Sequence, residues 1–122
     1  AEEVRARAAR AASTDPVVDA LVALLDRPAP ALAVVALASS ELGVGERRLH
    51  RRCVAALGYG PKTLHRVLRF QRALRLSRTR PRLVDLAADA GYADQAHLAR
   101  ECRRMTGLGP SELFKTTRTW PY

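Results

Sequence analysis

Four side chains in segment 46–57 have types and spacing suited to a binding face on a helix. Arg47, His50, Arg51 and Val54 follow the spacing i, i+3, i+4 and i+7, which places them on one side of a helix. The apolar residues of the segment are spaced by four and form a separate, buried stripe: Leu49, Cys53 and Leu57. A guanidinium on such a face can neutralise a phosphate or hold the O6 and N7 of a guanine.

The distribution of charge along the chain supports an anionic partner. The 122 residues include 21 Lys+Arg and 12 Asp+Glu, a net charge of +9. Residues 44–82 hold twelve basic side chains and one acidic one, whereas residues 1–43 carry a net charge of −2 and residues 83–122 a net charge of 0. A basic block confined to one window favours a binding face over general solubility, and nucleic acid is the commonest partner.

Other classes of protein find little support. Hydrophobic residues make up 48% of the chain, which excludes disorder throughout. No apolar run approaches the 20 or so residues of a membrane span. Paired catalytic carboxylates, a Ser-His-Asp set and a phosphate-binding glycine loop after a strand are all missing, so we expect neither an enzyme nor a cofactor. Cys53 and Cys102 are expected to be small core residues rather than metal ligands.

Helix signals recur along the chain, and no segment alternates with the period of a strand, so the sequence predicts an all-α fold of about seven helices. Asp15 is expected to cap the first helix, with Pro16 at its first position, and this helix stops before Pro28. The expected later helices are about 32–41, 46–57, 62–78, 83–90, 94–106 and one beginning at Pro110. The helix at 62–78 is the longest and is expected to bury Leu64, Val67, Leu68 and Leu74. Asp94 is expected to cap the helix at 94–106, whose Leu98 and Cys102 are expected to face inward.

An internal repeat organises these helices into two units. A shift of 49 residues aligns 35–61 with 84–110 without a gap, and nine of the 27 positions are identical, where chance gives one or two. Each copy is a short helix, a turn containing Gly, a second helix and then Gly-x-Gly-Pro. Two helices joined through a short Gly-containing turn in a basic chain predict a helix-turn-helix. We therefore expect two helix-turn-helix units joined by one long helix.

The chain resembles the DNA-binding domain of AraC/XylS-type transcription regulators over about residues 31–114. The resemblance is carried by VVALASSELGVGERRLHRRC, GYGPKTLHRVLRFQRALRLSR and LVDLAADAGYADQAHLARECRRMTGLGPSEL. The segment GYADQAHL followed by TGLGP is the most specific part. Some positions depart from the family pattern, since Gly45 replaces the usual Ser or Thr cap, Gly109 replaces the Ser or Thr before Pro110, and cysteines replace mid-helix aromatics.

The resemblance implies that the second helix of each unit reads the major groove and that the protein is a bacterial, cytoplasmic, nucleoid-associated regulator. It places base-reading positions in the first unit at Arg47, His50 and Arg51, with Arg51 preferred. Repeat equivalence and the flanking positions add Gln95, Ala96 and Arg100 in the second unit, which is chemically poorer because alanine methyls can contact only thymine methyls. Residues expected at phosphates or at flanking positions are Arg48, Arg52, Val54, Lys62, His97 and Arg104.

The expected domain organisation is a linker or upstream remnant at 1–14, a tandem domain at 15–116 and a tail at 117–122. Within the domain, the first unit is about 15–60, the connecting helix about 61–79 and the second unit about 82–116. The arginines at 66, 69, 72, 75 and 78 of the connecting helix cannot all face DNA, and Asp85, Asp89 and Glu101 are candidate partners for some of them.

A monomer is expected to bind double-stranded DNA across successive major grooves of an asymmetric site. Effector binding and dimerisation are expected to reside in a domain outside this chain. Two alternatives remain open: a DNA-binding module of a DNA alkylation-repair fusion, and a protein-interaction module that contacts the transcription machinery, with RNA polymerase as the candidate partner.

Overall fold

The computed structural model describes residues 15–27 and 33–118. All regular structure in these residues is helical, which confirms the all-α prediction and its seven helices. No helix in this part of the chain is long and apolar enough to cross a membrane. The helices are α1 Pro16–Leu25, α2 Val34–Leu42, α3 Glu46–Leu57, α4 Pro61–Leu76, α5 Leu83–Ala90, α6 Gln95–Thr106 and α7 Pro110–Arg118.

The start of α1 follows from the residues that the sequence places there. Asp15 has extended backbone angles, and its Oδ1 accepts hydrogen bonds from the N–H groups of Val17 at 3.0 Å and Val18 at 3.4 Å. Pro16 occupies the first helical position, where no N–H is needed. The same carboxylate accepts two hydrogen bonds from Arg52 on α3, from Nε at 3.1 Å and from Nη2 at 2.9 Å. Asp15 therefore caps one helix and ties it to another.

The two helix-turn-helix turns have the same pattern of backbone hydrogen bonds. In the 49-residue repeat alignment, the first turn lies one residue later than the second. Gly43 and Gly91 follow α2 and α5 with φ of 67° and 96°, which non-glycine residues adopt only with strain. In each turn the next N–H reaches back five residues, Val44 to Ser39 and Tyr92 to Ala87. Since α2 is one residue longer than α5, the first turn glycine aligns with Tyr92 rather than with Gly91.

The first unit comprises the described residues up to Leu68. Its apolar core confirms the stripe predicted on α3 and adds residues from α1, α2 and the first half of α4. The buried core residues are Val18, Leu21, Leu25, Ala38, Leu49, Cys53, Leu57, Leu64 and Leu68. Three neighbouring helices thus hold α3 through one face, and its opposite face remains exposed.

The second unit begins at Arg69, so the division falls inside α4 rather than at either end of the connecting segment. Its core combines the second half of α4 with α5, α6 and α7. The buried apolar residues are Phe70, Ala73, Leu86, Ala87, Ala90, Tyr92, Leu98, Cys102, Leu113 and Phe114. Leu98 and Cys102 confirm the prediction for α6, whereas Phe70 and Ala73 were not predicted.

Several expected boundaries and burials differ from the structure. α4 ends at Leu76 instead of Arg78, because residues 77–79 form a turn in which the hydroxyl of Ser77 bonds the carbonyl of Leu74 at 2.7 Å. Val67 and Leu74 are only half-buried. α7 reaches Arg118, so the expected tail from 117 begins inside a helix. The proposed linker at 1–14 and residues 119–122 lie outside the described residues.

We predict that Asp15 stabilises the first unit both as a cap and as an ion-pair partner. The hydrogen bonds from Arg52 lower the pKa of Asp15, so its charged form contributes stability above its unfolded pKa of about 4, and this contribution is lost as pH falls through the folded value. Asn retains the capping acceptor, so Asp15→Asn is expected to lose less stability at pH 7 than Asp15→Ala, for which we expect about 1–2 kcal/mol.

Urea unfolding between pH 2 and pH 7 tests both parts of this prediction. The difference in unfolding free energy between wild type and Asp15→Asn is expected to be constant above about pH 5 and to vanish at the acid end. Asp19→Asn, an exposed carboxylate in the same first turn, is the control and is expected to change stability by less than about 0.5 kcal/mol. A pH-independent difference for Asp15→Asn contradicts the ion-pair contribution.

Candidate nucleic-acid interface

The outward face of α3 presents the side chains that the sequence singled out. Arg47, His50 and Arg51 are exposed, and Val54 keeps 40% of its surface accessible. Leu49 and Cys53 on the opposite side are at most 1% exposed. Because α3 is held by that buried stripe, its cationic face cannot turn inward without exposing the core. The predicted grouping of these four residues is thus reproduced by the fold.

A surface recess of about 450 Å³ lies beside this face, where α3 meets the start of α4. Arg47 and His50 line it from α3, and Lys62 lines it from the first turn of α4. Glu46 adds one carboxylate to the lining. The N-terminal turn of α4 carries unsatisfied backbone N–H groups and a partial positive charge. The recess therefore combines three basic side chains with a helix terminus that favours an anion.

Arg52, on α3, has a structural partner that the sequence analysis did not name. Its guanidinium is committed to the carboxylate of Asp15 through two hydrogen bonds, and only 34% of its side chain is exposed. The two hydrogen bonds use Nε and Nη2 and leave the N–H groups of Nη1 outside the pair. Arg48 and Lys62, by contrast, are exposed. Arg52 therefore ties α1 to α3 through Asp15, and its predicted phosphate or flanking contact stays a prediction.

The first turn of α6 presents a sparser version of the same surface. Asp94 caps the helix, its Oδ1 accepting the N–H of His97 at 2.7 Å, which confirms the predicted cap. Gln95, Ala96 and Arg100 are exposed. α3 lacks such a cap because Gly45 has no side chain to supply an acceptor. The second unit therefore has the better-defined helix start but fewer cations near it.

His97 takes part in the local structure of the turn before α6. Its Nδ1 accepts a hydrogen bond from the N–H of Ala93 at 3.3 Å, and its ring lies at 83° to the ring of Tyr92 with a centroid distance of 5.0 Å. Partial burial, and then the positive charge of Arg69, lower the pKa of His97 below its usual 6.5. The neutral ring with Nδ1 as acceptor carries its proton on Nε2. That N–H remains the donor that His97 can offer to a phosphate.

A buried charged cluster supports α6 from behind. Arg69, on α4, is 3% exposed, and its guanidinium carbon lies 4.5 Å from the centroid of the Tyr92 ring. Its Nη2 lies 4.0 Å from Oε1 of Glu101, which is 5% exposed. Cation–π contact and ion pairing together offset part of the cost of burying the guanidinium. The cluster therefore links the second half of α4 to the turn and to the inward face of α6.

Sequence reasoning named Glu101 as a partner for an arginine of α4, and the pair with Arg69 confirms it. The burial of Arg69 itself, and of Arg72, was missed. Arg72 donates from Nη1 to the carbonyl of Ala90 at 3.1 Å, at the end of α5. A signal existed, because Leu68, Arg69 and Arg72 follow the spacing i, i+1 and i+4 of one buried face. Asp89 and Asp85 pair instead with nearby Arg80 and Arg82.

Neither cysteine adds chemistry to these surfaces. Both are free and fully buried, and burial raises the pKa of each thiol to about 11, which keeps it protonated at neutral pH. No group of three or more His, Cys, Asp or Glu side chains within 15–27 and 33–118 could hold a metal ion. Trp120 and Tyr122 lie outside the described residues.

Comparison with known proteins gives one match. Residues 38–116 match a family model described as a helix-turn-helix domain, which spans both turns and both outward-facing helices. No curated protein and no solved structure matches the chain significantly. The matched region covers more than half of the chain, and it includes every side chain of the two exposed faces.

We predict that Glu101 matters for stability because of the charge it compensates. Glu101→Ala leaves the Arg69 guanidinium buried without its carboxylate, and we expect a loss of about 3 kcal/mol in unfolding free energy. The double variant Arg69→Met with Glu101→Leu removes both charges and should recover most of that loss.

Urea denaturation of wild type, of Glu101→Ala and of the double variant measures these differences in unfolding free energy. Arg80→Ala breaks an ion pair in the same unit whose partners are 41% and 47% exposed, and it serves as the control with an expected loss below about 1 kcal/mol. A Glu101→Ala variant no less stable than Arg80→Ala would show that the buried pair does not stabilise the second unit.

Proposed function

Since the chain belongs to the AraC-type helix-turn-helix family of DNA-binding transcription regulators, we propose that it recognises a specific sequence of double-stranded DNA through the outward faces of α3 and α6. The observation that carries the proposal is the exposed cationic face of α3. This face follows a helix-turn-helix turn, and the helix is anchored by a fully buried stripe on its other side. Such an arrangement presents a helix to the major groove as a rigid unit.

In the proposed complex, Arg47, His50 and Arg51 read base edges. An arginine in the groove pairs best with guanine, because its two N–H groups match the O6 and N7 acceptors. Arg51 lies one turn further into α3 than Arg47, and it is the preferred reader. Val54 continues the same face with an apolar surface suited to a thymine methyl. The first unit can therefore distinguish bases by hydrogen bonds as well as by shape.

The second unit contributes less specificity in this proposal. Arg100 is its strongest reader, and Gln95 can pair with adenine through its amide. Ala96 offers only a methyl group. His97, whose Nε2–H points away from its bond with Ala93, is assigned to a phosphate or flanking contact. We expect this unit to add affinity and register more than sequence preference.

Affinity in the proposal comes from cations placed around the two helices. Arg48 and Lys62 flank the face of α3, and Arg104 lies in the last turn of α6. Arg52 is left out because Asp15 already holds its guanidinium. Electrostatic contacts with phosphates fix the protein on the duplex without reading sequence.

One chain is proposed to occupy two successive major grooves. Support comes from the sequence repeat and from α4, a single uninterrupted helix whose two halves belong to the two units. A site read in this way is asymmetric, because the two faces differ in chemistry. Any mismatch in groove phase would be met by bending the DNA.

We expect Arg51→Ala to weaken binding to a preferred duplex by about 1–3 kcal/mol and to relax preference at a single base pair. The preferred duplex is selected from a random pool by the wild-type protein, and affinity is measured by fluorescence anisotropy. Arg78→Ala removes an exposed arginine from the turn after α4 and is the matched control, with little expected change. A uniform loss on all duplexes would make Arg51 a phosphate anchor instead.

The same titrations at several salt concentrations count the phosphates that are contacted. If about six phosphates are neutralised, the slope of log K against log salt is near −5, and a smaller number gives a proportionally shallower slope. Absence of any preferred duplex in the selection would contradict the proposed sequence-specific function, even if binding to random DNA remained strong.

We expect the 122-residue chain to be a monomer that binds one to a duplex. Sedimentation equilibrium of the free protein and of the complex with the selected duplex measures both quantities. A selected site without palindromic symmetry is expected as well, because one chain presents two unlike faces. A stable dimer on a palindrome would contradict the proposal that one chain spans both grooves.

A further inference from the structure

The imidazole of His50 lies directly against the backbone of Gly60, in the link between α3 and α4. A Cβ atom built on Gly60 would be 2.6 Å from Nδ1 and 2.7 Å from Cε1 of that ring. Real Cβ atoms do not approach other heavy atoms so closely. The absence of a side chain at position 60 is therefore what allows the ring to occupy its place.

Backbone conformation does not explain the glycine at this position. The described glycines with positive φ are Gly43, Gly58, Gly91 and Gly107, and Gly60 is not among them. An alanine could adopt the backbone of Gly60 without the strain of the left-handed region. What an alanine cannot do is leave room for the ring.

The repeat provides a natural comparison. Gly109 is the counterpart of Gly60, and each of them precedes the proline that begins a helix. A Cβ on Gly109 would meet Arg103 Nη2 at 3.4 Å, an ordinary van der Waals contact. The counterpart of His50 is Ala99, which has no ring to place. Close packing of a ring on a bare backbone is thus a property of the first unit.

We infer that Gly60 is a positioning residue for His50, setting the orientation in which the imidazole meets DNA at the face of α3. This inference rests on the proposed function, which makes His50 a base reader. His50 is exposed and lines the recess beside α3, and an exposed side chain can populate several rotamers. A flexible reader loses affinity because ordering it on binding costs free energy, and a contact misplaced by even half an ångström is weakened. Packing of the His50 ring on the backbone of Gly60 reduces both the cost of ordering the ring and the error in its position.

The test is a cycle of four proteins: wild type, Gly60→Ala, His50→Ala and the double variant. On the duplex selected by wild type, Gly60→Ala is expected to bind about tenfold more weakly and to relax preference at the base pair that His50 reads. In the His50→Ala background the same Gly60→Ala change is expected to alter affinity by less than about twofold, because no ring remains to be displaced. An equal loss in both backgrounds overturns the inference.

Gly109→Ala is the matched control, because it places the same methyl group before the same type of helix start but displaces no ring. Replacing a cap glycine by alanine has a small cost in stability, and Gly109→Ala measures that cost separately from any effect on the ring. Thermal unfolding of all the variants checks that Gly60→Ala folds, with a midpoint expected within a few degrees of that of Gly109→Ala.

A second readout does not depend on DNA. The ring resonances of the three histidines are recorded by NMR, and those of His50 are assigned by their loss in His50→Ala. Gly60→Ala is expected to shift the His50 ring signals and to abolish their nuclear Overhauser contacts with residue 60, whereas Gly109→Ala leaves them unchanged. Unchanged His50 signals in Gly60→Ala overturn the inference. If wild type selects no preferred duplex, the proposed function fails, and the ring signals still decide whether Gly60 positions His50.

Discussion

Burial of an apolar stripe on α3 and on α6 is the constraint on which the rest of the structure depends. Leu49, Cys53 and Leu57 in the first unit, and Leu98 and Cys102 in the second, are each at most 2% exposed. Rotating either helix would carry several of these side chains into water, at a cost of about 1.5–3 kcal/mol for each large one. The hydrophobic effect therefore fixes which side chains face outward. The polar side chains on the outward faces of α3 and α6 are therefore exposed because the apolar side chains on the opposite faces are buried.

Charge is distributed less simply in the fold than along the chain. The basic block at 44–82 suggested a continuous cationic surface, yet its members have several different roles. Arg69 and Arg72 are buried, and the guanidinium of Arg52 is held by Asp15. Arg80 pairs with Asp89 on the second unit. Around α3 and the start of α4, the exposed basic side chains are Arg47, Arg48, Arg51 and Lys62. This group is the part of the basic block that lies on the proposed reading face.

Many features were predictable because they follow from local signals. The bounds of α3 and α5 match the prediction to the residue, since a Gly or Pro marks their ends and the apolar spacing is regular. Asp15 and Asp94 act as caps, as their positions indicated. The burial of Phe70 and Ala73 was not predicted. The two halves of α4 bury different faces, so one apolar stripe along the whole helix does not describe them. The role of Gly60 was not predicted, because it depends on the close approach of the His50 ring from α3.

The sequence by itself determined the all-α class, the repeat, the helix starts and the separation of apolar and cationic faces on α3. These depend on residues within a few positions of one another, where propensity, capping and helical periodicity act directly. Only the tertiary structure decided which arginines are available, because that choice depends on partners such as Asp15 and Glu101 that are more than 30 residues away along the chain. The same holds for the contact of His50 with Gly60. Long-range packing and the cost of burying charge select among side chains that look alike in the sequence.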